Sequence, residues 1–398
     1  MAVKLGRLLV LAALLVSALT VAAWLSSPDP KFNRASFESE ALTQSLADPH
    51  TALTLAQYRT GAGEVVTLLV DAVHDGEVSG IDLADLGAQR VQDPFVALAS
   101  VDVENLTAAF YGPFERHVVA IEQLLPTAPP GGRHLGVGTN FPEHAKEAQS
   151  DSVFVFPKFG IATPARTTIT APEGGLLDYE VELCMRFDRP IRSLDDFDAA
   201  VKGLFLCADF TDRIALLELA DSDNLDSGYG FSDAKSGPGF FPSGPFLLIP
   251  KDWSSFVADT RMMTWLNGEA RQDARGGEMT LDFRELTEKV LGEMAVRRFF
   301  YNGEFYKLAP DQRIDQDMTL MSGTSEGVIF TTPARHDYIE IALAYLLEGG
   351  PLSDKGLMDI AIPVFIENER ESGHFLKPGD TVIYRGSMLG DIVVEITP

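Results

Sequence analysis

The chain has 398 residues, 45% of them apolar, which is enough for a large buried core and more than one small domain needs. Against 58 acidic residues stand only 32 basic ones, a net charge of −26, so no basic excess exists to meet phosphates and nucleic acid is excluded as a partner.

In chain order, Lys4 and Arg7 precede an uncharged apolar run from Leu8 to Leu25, and SSPDP follows. Positive, apolar, then helix-breaking polar is the order of a targeting segment. Val21-Ala22-Ala23 offers small residues for cleavage. The run is longer than the roughly 7 to 15 residues of a usual signal core and just reaches a spanning helix. Residues 1–27 are therefore read as a signal peptide or, by preference, an uncleaved inner-membrane anchor. The positive flank puts the rest outside the cytoplasm, periplasmic or secreted.

Residues 28–132 read as a mainly helical region, because EVVTLLVDAVHDG and NLTAAFYGPFERHVVAIEQLL carry apolar residues at helix-compatible spacing. Pro129-Pro130-Gly131-Gly132 breaks the pattern and sets the domain boundary. From residue 133 to 398 short apolar runs alternate with Gly, Pro and Asn, as in VFVFPKFG, YEVELCMRF, GLFLCADF and TVIYRG. Such runs predict a predominantly antiparallel α+β domain. Asn267-Gly268 predicts a hairpin turn, and Phe283–Met294 and His336–Leu347 are helix candidates.

Within this domain LDYEVEL, residues 177–183, alternates carboxylates (Asp178, Glu180, Glu182) with apolar residues, so one face of a strand carries three acids. Such a row is either the solvated face of an antiparallel strand or a site for a hard divalent cation held by oxygens. Asp209 ends the next apolar segment, and Lys235 lies in a Gly/Pro-rich stretch beyond it. Cys184 shares parity with Glu180 and Glu182, and Cys207 with Asp209. The two thiols thus face the proposed ligands, either as a disulfide or as buried free thiols.

A Glu-x-Glu strand, an Asp with an Arg four residues on, then a Lys before a Gly/Pro-rich turn resembles the fumarylacetoacetate hydrolase family. GTNFPEHAKE, WLNGEARQ, MSGTSEGV and FLKPGDTV resemble further family segments in the same order. The resemblance covers Gly136 to the end and implies the family's mixed β-sandwich roll, with Glu180, Glu182 and Asp209 as ligands of Mg2+ or Ca2+, Mn2+ being a further option. It implies His144 and Glu147 as an oriented general base and Lys235 as the group stabilising an enolate. Arg213, Gly323 and Thr324 become substrate-binding residues, and the assembly a homodimer. The implied reaction is hydrolysis of a carbon–carbon bond in a 1,3-dicarbonyl acid, such as fumarylacetoacetate or an acylpyruvate. Decarboxylation or tautomerisation of a 2-oxo acid is the alternative, and an exported binding module without turnover is a third reading. The sequence departs from the pattern at Ser322 and Ser325, at Leu216 where acyl hydrolases of the family often have Gln, and by an insertion at about 329–373.

Overall fold

The computed structural model describes all residues except 1, 102, 151, 222–223, 329–332 and 353. The chain divides into two compact units, Met1–Asn33 with Ile329–Phe375, and Arg34–Val328 with Leu376–Pro398.

The larger unit carries the strands. In chain order these are β1 (Ala52–Arg59), β2 (Val65–His74), β3 (Glu77–Asp82), β4 (His117–Ala120), β5 (Arg133–Gly138) and β6 (Phe154–Phe159). There follow β7 (Arg166–Thr170), β8 (Leu177–Phe187), β9 (Lys202–Asp212), β10 (Leu247–Pro250), β11 (Arg261–Leu266) and β12 (Glu269–Arg275). The last are β13 (Arg297–Tyr301), β14 (Glu304–Lys307), β15 (Leu320–Met321), β16 (Thr381–Gly386) and β17 (Gly390–Thr397). Ten of them form one mixed sheet in the order β4-β3-β2-β1-β10-β9-β8-β15-β5-β6, and five form a second, β12-β11-β16-β17-β7.

The expected helical character of 28–132 is corrected here, since its longest element is the strand β2 and its strands outweigh its short helices. The run EVVTLLVDAVHDG contains β2, whose Val and Thr residues suit a pleated surface. Asp75 and Gly76 both have positive φ, 50° and 81°, and turn β2 into β3 as a two-residue hairpin. Its helices, Pro94–Ala99 and Val103–Phe110, are short. His74, at the exposed end of β2, is a surface residue.

At the centre of the large sheet β8 pairs antiparallel with β9 along its full length, and every residue of β8 is buried. Its two faces differ as the alternation predicts. Tyr179, Val181 and Leu183 share one face, where their cross-strand neighbour Phe210 meets Tyr384 of β16 edge-on, with ring centroids 6.2 Å apart. That apolar contact joins the two sheets. The acidic residues point the other way, and helix Phe231–Lys235 packs against β6 and β9 there. Cys184 and Cys207 lie diagonally across the pair and are bonded, with Cα atoms 6.0 Å apart, which decides between the two readings of these thiols.

His134, in β5 opposite Lys158 of β6, is fully buried; its Nδ1 accepts the Thr319 N–H at 3.2 Å. Burial and then the Lys158 charge push its pKa down to about 3. Because the folded value lies below the unfolded one of roughly 6.5, the unfolded chain takes up a proton first as pH falls. Stability is therefore expected to drop between pH 6.5 and about 3, by up to about 1.4 kcal/mol per pH unit from this group. Urea denaturation at pH 7, 5 and 4 should show a shallower decline for His134→Gln than for the parent; parallel curves would remove His134 from the account.

In the smaller unit, helix Ala2–Leu25 packs beside helix Arg335–Leu347, where Trp24 Nε1 donates to Glu340 Oε1 at 2.6 Å. Helix Leu357–Ser372 completes the set, its Asn368 amide donating to Asp337 at 2.8 Å and Glu340 at 2.7 Å. The insertion after Val328 thus folds with the N-terminal segment. Among the described residues no helix is long and apolar enough to cross a membrane.

Candidate metal centre and catalytic site

Register builds the site. Glu180 stands directly opposite Asp209, Glu182 opposite Cys207, and Asp178 opposite Thr211, all on the same face of the β8–β9 pair. Glu180, Glu182 and Asp209 are buried to 3%, 1% and 1% exposure, and each offers a carboxylate oxygen within 4.8 Å of the others. Among the described residues this is the one group of three or more acidic, His or Cys side chains placed to hold a metal ion.

Three buried cations surround these acids. Lys235 Nζ donates to Glu180 Oε2 at 2.5 Å, Asp209 Oδ2 at 2.8 Å and Thr211 Oγ1 at 2.8 Å. Lys158 Nζ donates to Asp209 Oδ1 at 2.6 Å and to the Lys235 carbonyl. Arg213 donates from Nε and Nη2 to Asp178 Oδ2, at 2.8 and 2.6 Å, and from Nη2 to Glu180 Oε1 at 2.9 Å.

The pKa directions follow this map. For Glu180, burial favours the neutral acid, but Lys235, Arg213 and His144 together overcome it and hold the carboxyl at about 2. Glu182 goes the other way: burial and then the Asp209 charge raise it well above the usual carboxylate range, against Lys235. Lys235 is raised, because Asp209 and Glu180 outweigh its burial. Burial lowers Lys158 in spite of Asp209.

These charges test the fit of a cation. Four buried carboxylates, Asp178 included, face three buried cations, and the missing positive charge falls at Glu182. An all-oxygen donor set with a charge deficit suits a hard divalent ion. Once neutralised by such an ion the pocket is left with one excess positive charge, which favours an anionic substrate.

The proposed base lies beside this cluster. Phe141 precedes helix Pro142–Glu147, with Pro142 in its first turn, so His144 and Glu147 share a face. His144 Nδ1 is 3.0 Å from Glu147 Oε2, and the two side chains are 12% and 15% exposed. Glu147 Oε1 also accepts the Gly327 N–H at 3.0 Å, tying the helix to the loop after β15. Asn140, fully buried, donates to the carbonyls of Ser322 and Leu281 at 2.8 and 3.0 Å and so fixes the lead-in to the helix. The helix and the acids share one loop, since Gly323, whose N–H donates to Glu182, lies between Ser322 and Gly327, which bond Asn140 and Glu147.

The three residues expected to contact substrate all make bonds within the protein. The Arg213 guanidinium is engaged by Asp178 and Glu180 and orients the Glu180 carboxylate, as a buried cation must when acids lie within reach. The Gly323 N–H donates to Glu182 Oε2 at 2.9 Å, not to open space. Thr324 Oγ1 donates to the Val181 carbonyl at 3.0 Å and accepts from Gln272 Nε2 at 2.8 Å, clamping the backbone of β8. Lys158 is a site residue that the sequence reading passed over. Its signal was a single lysine inside the apolar run FVFPKF, where a buried ammonium requires an acidic partner.

The comparisons with known proteins agree with this geometry. The model of the fumarylacetoacetate (FAA) hydrolase C-terminal domain matches residues 133–397. An uncharacterized protein of Staphylococcus epidermidis is 27% identical over 215 residues, and one of Staphylococcus aureus 29% over 181. These alignments take in 47% and 43% of this chain, and the chain spans 66% and 55% of those relatives. Among solved structures, 5-carboxymethyl-2-hydroxymuconate delta-isomerase of Mycobacterium smegmatis superposes with a TM-score of 0.51 at 14% identity, over 87% of this chain and 99% of that one. Fumarylacetoacetate hydrolase of Exiguobacterium antarcticum gives 0.50 at 16% identity, over 87% and 99%. At such identities these likenesses speak for the fold alone. With the family model covering most of the chain, and the acidic triad of the Glu-x-Glu strand and its partner lying within that match, the protein belongs to the fumarylacetoacetate hydrolase family.

Proposed function

We propose that the chain is a divalent-metal-dependent hydrolase that splits a carbon–carbon bond of a 1,3-dicarbonyl acid, an acylpyruvate or a fumarylacetoacetate-like compound. The observation that carries this reading is the buried triad Glu180, Glu182 and Asp209 together with the His144–Glu147 dyad, tied to the same loop, 322–327, that bonds Glu182. The triad would hold Mg2+, Ca2+ or Mn2+, which supplies Lewis-acid stabilisation of substrate oxygens. His144 takes a proton from water as the water oxygen attacks the carbonyl carbon, and Glu147 holds the imidazole by Nδ1. The carbon–carbon bond then breaks with its electron pair passing to the enolate of the leaving 2-oxo acid. The imidazolium returns the proton to that carbon, and the ammonium of Lys235 balances the charge that develops.

Leu216, 8% exposed and unable to hydrogen-bond through its side chain, favours a second reading. In it the same dyad only moves a proton, and the enzyme decarboxylates or tautomerises a 2-oxo acid. Product analysis with Mg2+ separates the two. Acylpyruvate cleaved to two acids supports hydrolysis; carbon dioxide from oxaloacetate, or keto–enol exchange without cleavage, supports the second. A homodimer is the proposed assembly.

We further propose that this enzyme works outside the cytoplasm. The described side chains of helix Ala2–Leu25 from Leu9 to Leu25 are apolar apart from Ser17 and Thr20, and Leu9, Leu11, Leu14 and Leu19 are at least 60% exposed. A helix apolar on all sides needs surroundings other than water. Protease added to spheroplasts is expected to degrade the domain beyond Ser26, and a protected domain would overturn the proposal.

A further inference from the structure

Beyond the disulfide, β8 continues on its acidic face to Arg186, opposite Gly203. This guanidinium is 4% exposed and incompletely satisfied. Nη1 donates to the Thr127 carbonyl at 2.8 Å, Nε has no partner, and Nη2 stands 3.7 Å from Asp93, too far for a hydrogen bond. Asp93 cannot simply close that gap, because its Oδ1 caps the helix beginning at Pro94 by accepting the Phe95 N–H at 2.9 Å. The Phe95 ring lies 5.4 Å from the guanidinium carbon and covers its face. The contrast is with Arg213, equally buried, which has two carboxylates at 2.6 and 2.9 Å.

Arg186 also lines a cavity of about 370 Å³, within the size range of small-molecule sites. Pro126, Pro129, Pro130 and Ile161 give it apolar walls, and Gln92 and Gln316 contribute amides. The other charged lining residues are Arg59, Asp93 and Asp317. Asp93 is 29% exposed and Asp317 is exposed, so water screens both acids better than it screens Arg186. Burial, opposed only by Asp93, pulls the Arg186 pKa down to about 10. A buried cation short of acceptors at the wall of an open cavity is a place for an anion.

We propose that this cavity is a second ligand site, which binds a small organic monocarboxylate with its carboxylate on Nη2 of Arg186 and its apolar body against the prolines. One buried positive charge matches one carboxylate; a phosphate dianion would leave a buried negative charge unpaired. None of the cavity residues belongs to the metal centre, so occupancy requires no divalent ion.

The test uses the full chain freed of divalent ions with chelator, titrated calorimetrically with hexanoate at constant ionic strength. 1-Hexanol serves as the uncharged control and inorganic phosphate as the dianion control. Hexanoate is expected to bind one per chain, at least tenfold tighter than either control. Gln92→Glu, which sets a negative charge at an exposed position of the wall, is expected to weaken hexanoate at least tenfold, as is Arg186→Met. Should Arg186→Met fail to fold, Gln92→Glu carries the test alone. Hexanoate affinity equal to that of hexanol, or unchanged in Gln92→Glu, would overturn the proposal.

Discussion

Glu182→Ala is expected to abolish divalent-ion binding. Of the three triad acids it is the one with no direct ion pair to a lysine or arginine; its Oε2 accepts only the Gly323 N–H among the described bonds. Burial and the Asp209 charge raise its pKa, whereas a bound cation favours its carboxylate form and so gains its charge. Removing it leaves two acids already paired with Lys158, Lys235 and Arg213. Little negative charge then remains to attract Mg2+ or Ca2+. Glu180→Ala and Asp209→Ala should have the same outcome. Asp178→Ala should be milder, roughly the 10- to 100-fold typical of a residue that orients a ligand, since it acts through Arg213. Calorimetric titration with each ion reads all four variants, and unchanged affinity in Glu182→Ala would sink the metal centre.

His144→Ala should leave ion affinity intact and lower turnover by roughly 10²- to 10⁴-fold, the usual loss with a general base. Glu147→Gln should cost less. Its amide oxygen can still accept from Nδ1 or from the Gly327 N–H, but it has no charge to stabilise the imidazolium. The rate should therefore fall while the acid limb of the pH profile is lost or displaced. Turnover against pH at saturating Mg2+ measures both variants. A His144→Ala protein with parental turnover would remove the Pro142–Glu147 helix from the chemistry and leave Lys235 as the proton-handling group.

The site was legible in the sequence where it depended on alternation. Parity along β8 puts Glu180, Glu182 and Cys184 on one face whatever the surrounding fold, and the same rule placed Asp209 and Cys207 on theirs. What alternation cannot supply is register, so the sequence left open whether the cysteines meet. Nor could it say that Arg213 turns back to Asp178 and Glu180. Lys158 lay hidden for a related reason: its partner Asp209 is two strands and a helix away in sequence. The misreading of 28–132 was local. Short apolar runs fit helix and strand alike, and the deciding signals were β-branched residues and the Asp75-Gly76 turn. The pairing of the N-terminal helix with residues beyond 329 left no periodic trace, because it arises from side chains such as Trp24 and Glu340 meeting across the chain.

The cystine between β8 and β9 also sets an order of assembly. Cys184 sits two residues beyond Glu182 and Cys207 two before Asp209, so the covalent link holds the registration on which the spacing of the acids depends. A slip of one residue would carry the acids to the apolar face. A chain oxidised before it meets a cation presents a finished cage, whereas a chain kept reduced must hold the same spacing by hydrogen bonds alone while acids of like charge push its strands apart. Preparations made in a reducing cytosol and in an oxidising compartment should therefore differ in how well they bind the ion, even when their folds coincide. The oxidation history of a sample thus belongs with its ion content when its activity is compared with that of another.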